Sequence, residues 1–452
     1  MRAGATPYRA VWRWHFYAGL LCVPVLLVLA VTGALYLFNT EIERWWYASE
    51  LNVPAGAAVQ AAAAQEAAVL AAHPGARIRS VEWPHDATHV SSWAIRAADG
   101  RKLSVLVDPY TAQVHATLDT STRLMQVVSD LHGELLLGRT GDLLVELVAS
   151  WTMVMLATGV YLWWPRRWKW RGVLVPRLGT TGRRFWRDLH AIPAVVNAVL
   201  VGFLVLSGLP WSGFWGEQLA RLGTLSTQAA PSPNFHAPPP RPGTPTAAAE
   251  AGSHHHDPNE LALPWTIRQA PVPGGDASSD VGLARVMAIV QERGMSNAGP
   301  RLRVFYPEGA DGVYTVSLVP ARAQDQRTLY VNPADGQVMQ DIAWRDYSPL
   351  GKGVEWGVMA HMGKQFGAFN LWLALAVCLT LTATLLTGVV LWWRRRPSGQ
   401  IGAPDAQGQR LPRGLWIVLA ALGILFPLAG LSMLVVLAGD ASLKRRPGAI
   451  SA

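Results

Sequence analysis

Five long apolar runs, nearly free of charge, divide the chain at 16–38, 143–164, 189–214, 367–393 and 413–438. At 1.5 Å per residue each can cross a hydrocarbon core of about 30 Å, so each is predicted to be a membrane-spanning helix. The first is longer than a signal-peptide core and meets no small-residue cleavage site before Glu41 and Glu43, so it reads as a retained anchor. Between the runs the period changes. The pattern predicts a helix over 59–72, stopped by His73-Pro74-Gly75, then strands at 77–83, 89–97 and 102–107. Asp108-Pro109-Tyr110-Thr111-Ala112-Gln113-Val114 then turns into a further strand. The second polar stretch repeats this order. A helix over 280–293 is closed by Gly294, strands follow at 301–306, 312–319 and 327–331, and Asn332-Pro333-Ala334-Asp335-Gly336-Gln337-Val338 makes the turn. A Pro/Ala/His-rich insert, about 226–278, reads as disordered.

The two halves align without a gap. An offset of 229 carries His132 to His361, Gly138 to Gly367, Gly159 to Gly388, Trp163–Trp164 to Trp392–Trp393 and Arg166–Arg167 to Arg395–Arg396. An offset of 175 carries His15 to His190 and Thr32–Gly33 to Ser207–Gly208. The fold class expected is therefore an α-helical integral membrane protein of duplicated span, small α+β domain, span units. They form a four-helix core with parallel repeats, and a fifth C-terminal span belongs to neither.

Charge sets the expected orientation. Half the chain is apolar and 15% is charged, against about 25% for a soluble domain, which argues against a disordered chain or a purely soluble enzyme. The net charge of +9 comes from arginines beside the apolar runs, a membrane pattern rather than a nucleic-acid footprint. The positive-inside rule then places 1–15, 165–188 and 394–412 in the cytoplasm, and the domains 39–142 and 215–366 outside. The tail 439–452, with Lys444, Arg445 and Arg446, lands outside and breaks the rule. Cys22 and Cys378 lie inside apolar runs, so no disulfide framework, thiolate cluster or covalent c-type haem motif is available.

These features resemble the PepSY-associated transmembrane family, often called iron-regulated membrane proteins. The resemblance rests on Trp12-Arg13-Trp14-His15, Arg187-Asp188-Leu189-His190, Leu131-His132-Gly133, Ala360-His361-Met362-Gly363 and the two Pro-turn-Gln-Val hairpins, and covers most of 8–396. The family includes bacterial inner-membrane ferric-siderophore reductases with b-type haem, and members with no assigned activity. What the resemblance implies is haem b, PepSY-like external domains in the periplasm, and a ferric siderophore or chelate as acceptor; the histidine pairs below set the expected number of haems at two.

The residues carry their own argument for haem. Only four of the twelve histidines, His15, His132, His190 and His361, lie on or beside the spans, and all four are repeat-matched. Ionisable side chains at such depth are usually functional, and facing helices can supply two axial ligands and an apolar slot. From His15 to the end of the first span is 23 residues, roughly 35 Å, so His15 and His132 cannot share an iron. The expected pairs are His15 with His190 and His132 with His361, one near each face, with Arg13 and Arg187 placed to hold propionates. Interfacial anchoring is the plainer use of such histidines.

Other candidates are weaker. His254-His255-His256, Asp257 and His236 read as an incidental polar tract. His73, His85, His89 and His115 show no ligand spacing and read as surface residues. No dinucleotide or phosphate-loop glycine pattern and no hydrolase signature is present, so no in-chain nicotinamide or nucleotide site is expected; the leading reading takes electrons from a quinol or a cytoplasmic reductase. Arg139, Lys352 and Lys364 stand near the outer histidines as possible contacts for an anionic chelate. Two rival functions are a non-enzymatic sensor or regulator, since PepSY-type modules elsewhere bind proteases, and an iron-complex transporter. The spans carry few charges, Glu146 being the main exception, which disfavours the transporter.

Overall fold

A computed structural model of the 452-residue chain describes residues 7–84, 86–165, 167–222, 263–268, 272–295, 301–319, 321–399, 402 and 413–444. The expected insert about 226–278 and His85 lie largely or wholly outside these. Two compact units are resolved. The first comprises Met1–Ala34, His132–Phe214 and Ala374–Ala452, and the second Leu35–Leu131 and Trp215–Leu373. In chain order the main helices are α1 (Pro7–Tyr36), α2 (Ala62–Ala72), α3 (Leu124–Glu134), α4 (Gly138–Trp163), α5 (Gly182–Val196), α6 (Ala198–Gly208), α7 (Gly282–Glu292), α8 (Pro349–His361), α9 (Ala368–Trp393), α10 (Arg413–Leu425) and α11 (Pro427–Lys444).

The first unit is helical. α1, α4 and α9 are each long and apolar enough to cross a membrane. α4 packs against α5, α6, α10 and α11. Its buried hydroxyls are satisfied on their own helix: Ser150 donates to the Glu146 carbonyl, Thr152 to Val148 and Thr158 to Val154. That removes the cost of an unpaired polar atom in an apolar layer. Trp151 donates from its indole to Ser432 Oγ at 2.9 Å, tying α4 to α11.

The expected third and fifth spans differ from straight crossings. α5 and α6 meet at a bend of 55° at Asn197. Pro193 has no N–H for the Leu189 carbonyl, so the ladder is interrupted one turn earlier. The Asn197 amide is taken up by Thr380 Oγ1 on α9. The run 413–438, predicted as one span, is broken into two apolar helical stretches, Arg413–Leu425 and Pro427–Ala438, each too short to cross. The chain folds back at Phe426–Pro427 so tightly that a side chain on Gly430 would collide with the Gly423 carbonyl. Average apolarity does not register such a break.

The second unit is built on one antiparallel sheet, not on two separate domains. Its strands are β1 (Arg77–Glu82), β2 (Ser91–Arg96), β3 (Lys102–Asp108), β4 (Gln113–Asp119), β5 (Arg301–Phe305), β6 (Tyr314–Val319), β7 (Arg327–Val331) and β8 (Val338–Ala343). Their order is β4-β3-β2-β1-β5-β6-β7-β8. The halves join where β1 pairs with β5 in the register Val81 to Val304. Joining them removes the edges that both β1 and β5 would otherwise expose. One face carries the main core: Trp93, Val105, Val304, Val316 and Leu329 from the strands, covered by Val69 of α2 and by Val286, Ile289 and Val290 of α7. The helix-then-four-strands order occurs twice, as the polar pattern predicts. The two hairpin turns also match in backbone. Ala112 and Gly336 both have positive φ, 54° and 72°, and both donate back four residues, to Asp108 and Asn332.

That match yields a prediction. A left-handed conformation penalises a Cβ, so Ala112→Gly is expected to stabilise the protein by about 0.5–1 kcal/mol and Gly336→Ala to destabilise it by a similar amount. Denaturant unfolding of the detergent-solubilised protein measures both.

Candidate functional site

Three histidines of the first unit are held in one way. His15 on α1 places Nδ1 3.0 Å from Thr158 Oγ1 on α4, with the Met155 backbone also in reach. The Thr158 hydroxyl proton is directed at the carbonyls of Val154 and Met155, at 2.8 and 3.2 Å. Only its lone pair is left, so the His15 Nδ1–H donates. His190 on α5 donates from Nδ1 to the Thr384 carbonyl on α9 at 2.9 Å, and a carbonyl can only accept. His132 at the end of α3 lies 2.9 Å from Thr32 Oγ1 on α1, whose proton is spent on Val28 O at 2.6 Å. Nδ1–H is again the donor. Among the described residues, every hydrogen bond of these three rings runs through Nδ1. Each neutral ring therefore presents Nε2 as a free lone pair, the form in which an outer acceptor prepares an imidazole to ligate a metal.

His15 and His190 are brought together. Their ring centroids are 6.5 Å apart, with the planes at 75°. Two imidazoles on opposite sides of one iron, each nitrogen about 2 Å from it, set centroids about 6 Å apart. The pair fits that spacing. Glycines admit both rings: a Cβ on Gly159 would lie 3.3 Å from His15 Cε1, and one on Gly388 3.1 Å from His190 Cε1. The offset of 229 carries Met155 to Thr384 and Gly159 to Gly388, so the two rings rest on matched positions of α4 and α9. Among the described residues no three His, Cys, Asp or Glu side chains gather as a metal site. A bis-imidazole haem asks for two.

A strained turn sets the position of His132. Leu135, Leu136 and Gly138 all have positive φ, at 53°, 58° and 56°. Two leucines in this region cost about 1–2 kcal/mol each and persist only where packing imposes them. The turn separates α3 from α4, so the ten residues between His132 and the apolar run 143–164 do not form one continuous helix. Gly141 is needed there, because a methyl group on it would collide with the Glu134 carbonyl. Deeper on α4, Asp142 and Glu146 are 4% and 2% exposed and accept from the N–H groups of Gly213 and Phe214. The charge in span two thus caps the short helix Gly213–Arg221.

The arginines expected near the inner pair are partly committed. Arg187 donates to the buried Asp188 at 2.8 Å, and Arg177 donates to the same carboxylate at 2.7 Å. Arg13 lies 5.6 Å from the Tyr17 ring. Arg139 is exposed on the first unit.

In the second unit, His361 ends α8. A buried polar network holds this helix. Glu355 accepts from the Thr266 N–H at 2.6 Å and from Gln326 Nε2 at 3.0 Å, and Asn370 donates to the Ala360 carbonyl at 3.0 Å. Burial pushes the Glu355 carboxyl up, against these donors and Arg268. Lys352 reaches the Arg345 carbonyl at 3.5 Å, and Lys364 lies just past the helix. His73 and His115 bond Thr117 and the Ser49 carbonyl near the surface, while His89, expected as a surface residue, bonds Asp86 with its side chain only 14% exposed. His236 and the tract 254–257 lie outside the described residues.

Apolar helices long enough to cross a bilayer, joined to a folded sheet unit, make this a membrane protein. The chain belongs to the family of the PepSY-associated TM region, whose sequence model spans residues 12–395. No curated protein matches the chain.

Two outcomes are expected. Gly141→Ala should destabilise the protein by about 1–3 kcal/mol in thermal unfolding, while Gly179→Ala, which meets open space, should be near neutral. Glu355 keeps its proton to higher pH when folded than when unfolded. Its stabilising share is therefore full below the unfolded value of about 4.3 and is lost as pH rises through the folded value. Unfolding temperatures of the wild type should fall more steeply than those of Glu355→Gln over that window.

Proposed function

We propose that this protein is a transmembrane oxidoreductase of the bacterial inner membrane that uses two haems b and reduces chelated ferric iron outside the cell membrane. The observation that supports this reading best is the His15–His190 pair, with both Nδ1–H groups satisfied, both Nε2 lone pairs free and the centroids 6.5 Å apart. Haem, when bound, supplies one-electron chemistry between ferric and ferrous iron. The chain's own work is to hold the rings of His15, His190 and His132, whose Nε2 atoms would bind the group. Thr158 and the Thr384 carbonyl fix the inner rings, and Thr32 fixes His132. Gly159 and Gly388 leave room at the ring edges, and the surrounding apolar helices exclude water. The role of His361 as the partner of His132 rests on the offset of 229 alone.

The substrate step is a single-electron reduction of Fe(III) to Fe(II) in a siderophore or similar chelate, whose oxygen-rich donors hold Fe(II) far less well. The electron comes from a quinol or a cytoplasmic reductase. The duplicated units provide one ligand pair near each face, which an electron path across the bilayer requires. The cap role of Glu146 gives the charge in span two a structural use, which weakens the transporter alternative.

The test is an optical spectrum of the purified protein, oxidised and then dithionite-reduced, with haem counted per chain. Two haems with sharp reduced bands are expected. His15→Ala and His190→Ala should each lose the same haem, and His132→Ala the other. A folded sample from haem-replete cells that carries no haem would overturn the reading in favour of a sensor or regulator.

A further inference from the structure

We propose that Arg183 and Arg395 form the clamp for the carboxylate arms of the group held between His15 and His190. This rests on the haem reading above and replaces Arg187 in that role. Arg395 follows α9, and its guanidinium carbon stands 4.0 Å from the centre of the Trp12 ring. Its neighbour Arg394 lies 5.3 Å from the Trp186 ring. Burial and the nearby Arg183 lower the pKa of Arg395, and only Tyr8 opposes them. Among the described residues no carboxylate pairs with Arg183 or Arg395, whereas Arg177 and Arg187 share Asp188. A guanidinium stacked on Trp12, with a second arginine close enough to lower its pKa and no carboxylate partner among the described residues, leaves a site short of negative charge.

The helices place that site beside the imidazole pair. Trp12 precedes His15 by three residues, one turn of α1. Arg183 precedes His190 by seven, two turns on the same face of α5. Arg395 follows Gly388, which the His190 ring touches, by seven. All three displacements run toward the same end of the bundle. A guanidinium fork matches a carboxylate in two parallel hydrogen bonds, and stacking on Trp12 pre-orients it. The ligand chemistry is thus a pair of carboxylates on an apolar body. The phosphate of an anionic lipid is the rival occupant.

The experiment uses the full-length protein with its bound haem. Redox titration and the rate of haem transfer to excess apomyoglobin are measured for Arg183→Gln, Arg395→Gln, the double variant and Lys169→Gln. Removing positive charge disfavours the reduced, less positive iron. One of the two midpoint potentials should therefore fall, the other should stay, and haem transfer should speed up about tenfold or more. Arg395→Lys should keep the potential but not the slow transfer. Lys169→Gln should change neither. Arg183 is exposed, so Arg183→Gln reports even where the double variant does not fold. Unchanged potentials and transfer rates in a variant that retains haem overturn the clamp and leave the haem reading intact. The same result with weakened binding to phosphatidylglycerol nanodiscs assigns the arginines to lipid. Absence of haem from the wild type overturns the haem reading itself.

Discussion

An imidazole placed among apolar helices has one N–H that must find an acceptor, and the arrangement of the first unit follows from that requirement. Water is not on hand, so the acceptor has to come from a neighbouring helix. Thr158 and Thr32 can serve because each spends its own proton on a carbonyl of its own helix and offers only a lone pair outward. Thr384 serves through its backbone carbonyl. Each solution consumes Nδ1 and leaves Nε2. The same condition that makes a buried histidine tolerable therefore prepares it as a ligand. It also fixes which helices touch, since α1 has to lie against α4, and α5 against α9, for the bonds to form.

The backbone shows a related economy. Where a span is interrupted, a side-chain bond to another helix or a glycine at the close approach accommodates the break. Pro193 interrupts the ladder before Asn197, and the Asn197 amide finds Thr380. The reversal at Phe426–Pro427 is possible because Gly423 and Gly430 carry no side chains where the two helices meet. The turn at 135–138 holds two leucines in a left-handed conformation, and Gly141 admits the Glu134 carbonyl. That strain lies three residues from His132, so it sets the approach of that ring to Thr32. In the second unit the comparable task falls to Glu355, which ties α8 to the short helix Trp265–Arg268 and to Gln326.

Much of this was legible in the residues. The period of the polar stretches marked both helices and six of the eight strands to within a few residues, because half-buried strands alternate and α2 and α7 carry one apolar stripe. The repeat offsets marked His15, His190, His132 and His361, and the glycines Gly159 and Gly388 on which two of the rings rest. Other features were not legible. The sharing of one sheet by both halves depends on a β1–β5 pairing between residues more than two hundred apart. The commitment of Arg187 to Asp188, and of Arg395 to Trp12, depends on side-chain reach that spacing alone leaves open. Thr158 resembles any small polar residue in a span until His15 is beside it.

Composition, period and repeat by themselves determined long apolar helices, strands outside the apolar runs and four histidines in matched places, and the motifs around those histidines resembled the PepSY-associated family. These are local or one-dimensional properties, set by which residues prefer apolar surroundings and at what interval they recur. Only the tertiary structure decided that three of the rings hold their protons on Nδ1, that two of them stand 6.5 Å apart, and that spans three and five are bent or folded back. Those outcomes turn on hydrogen bonds and close contacts between distant residues, which exist only once the helices are packed.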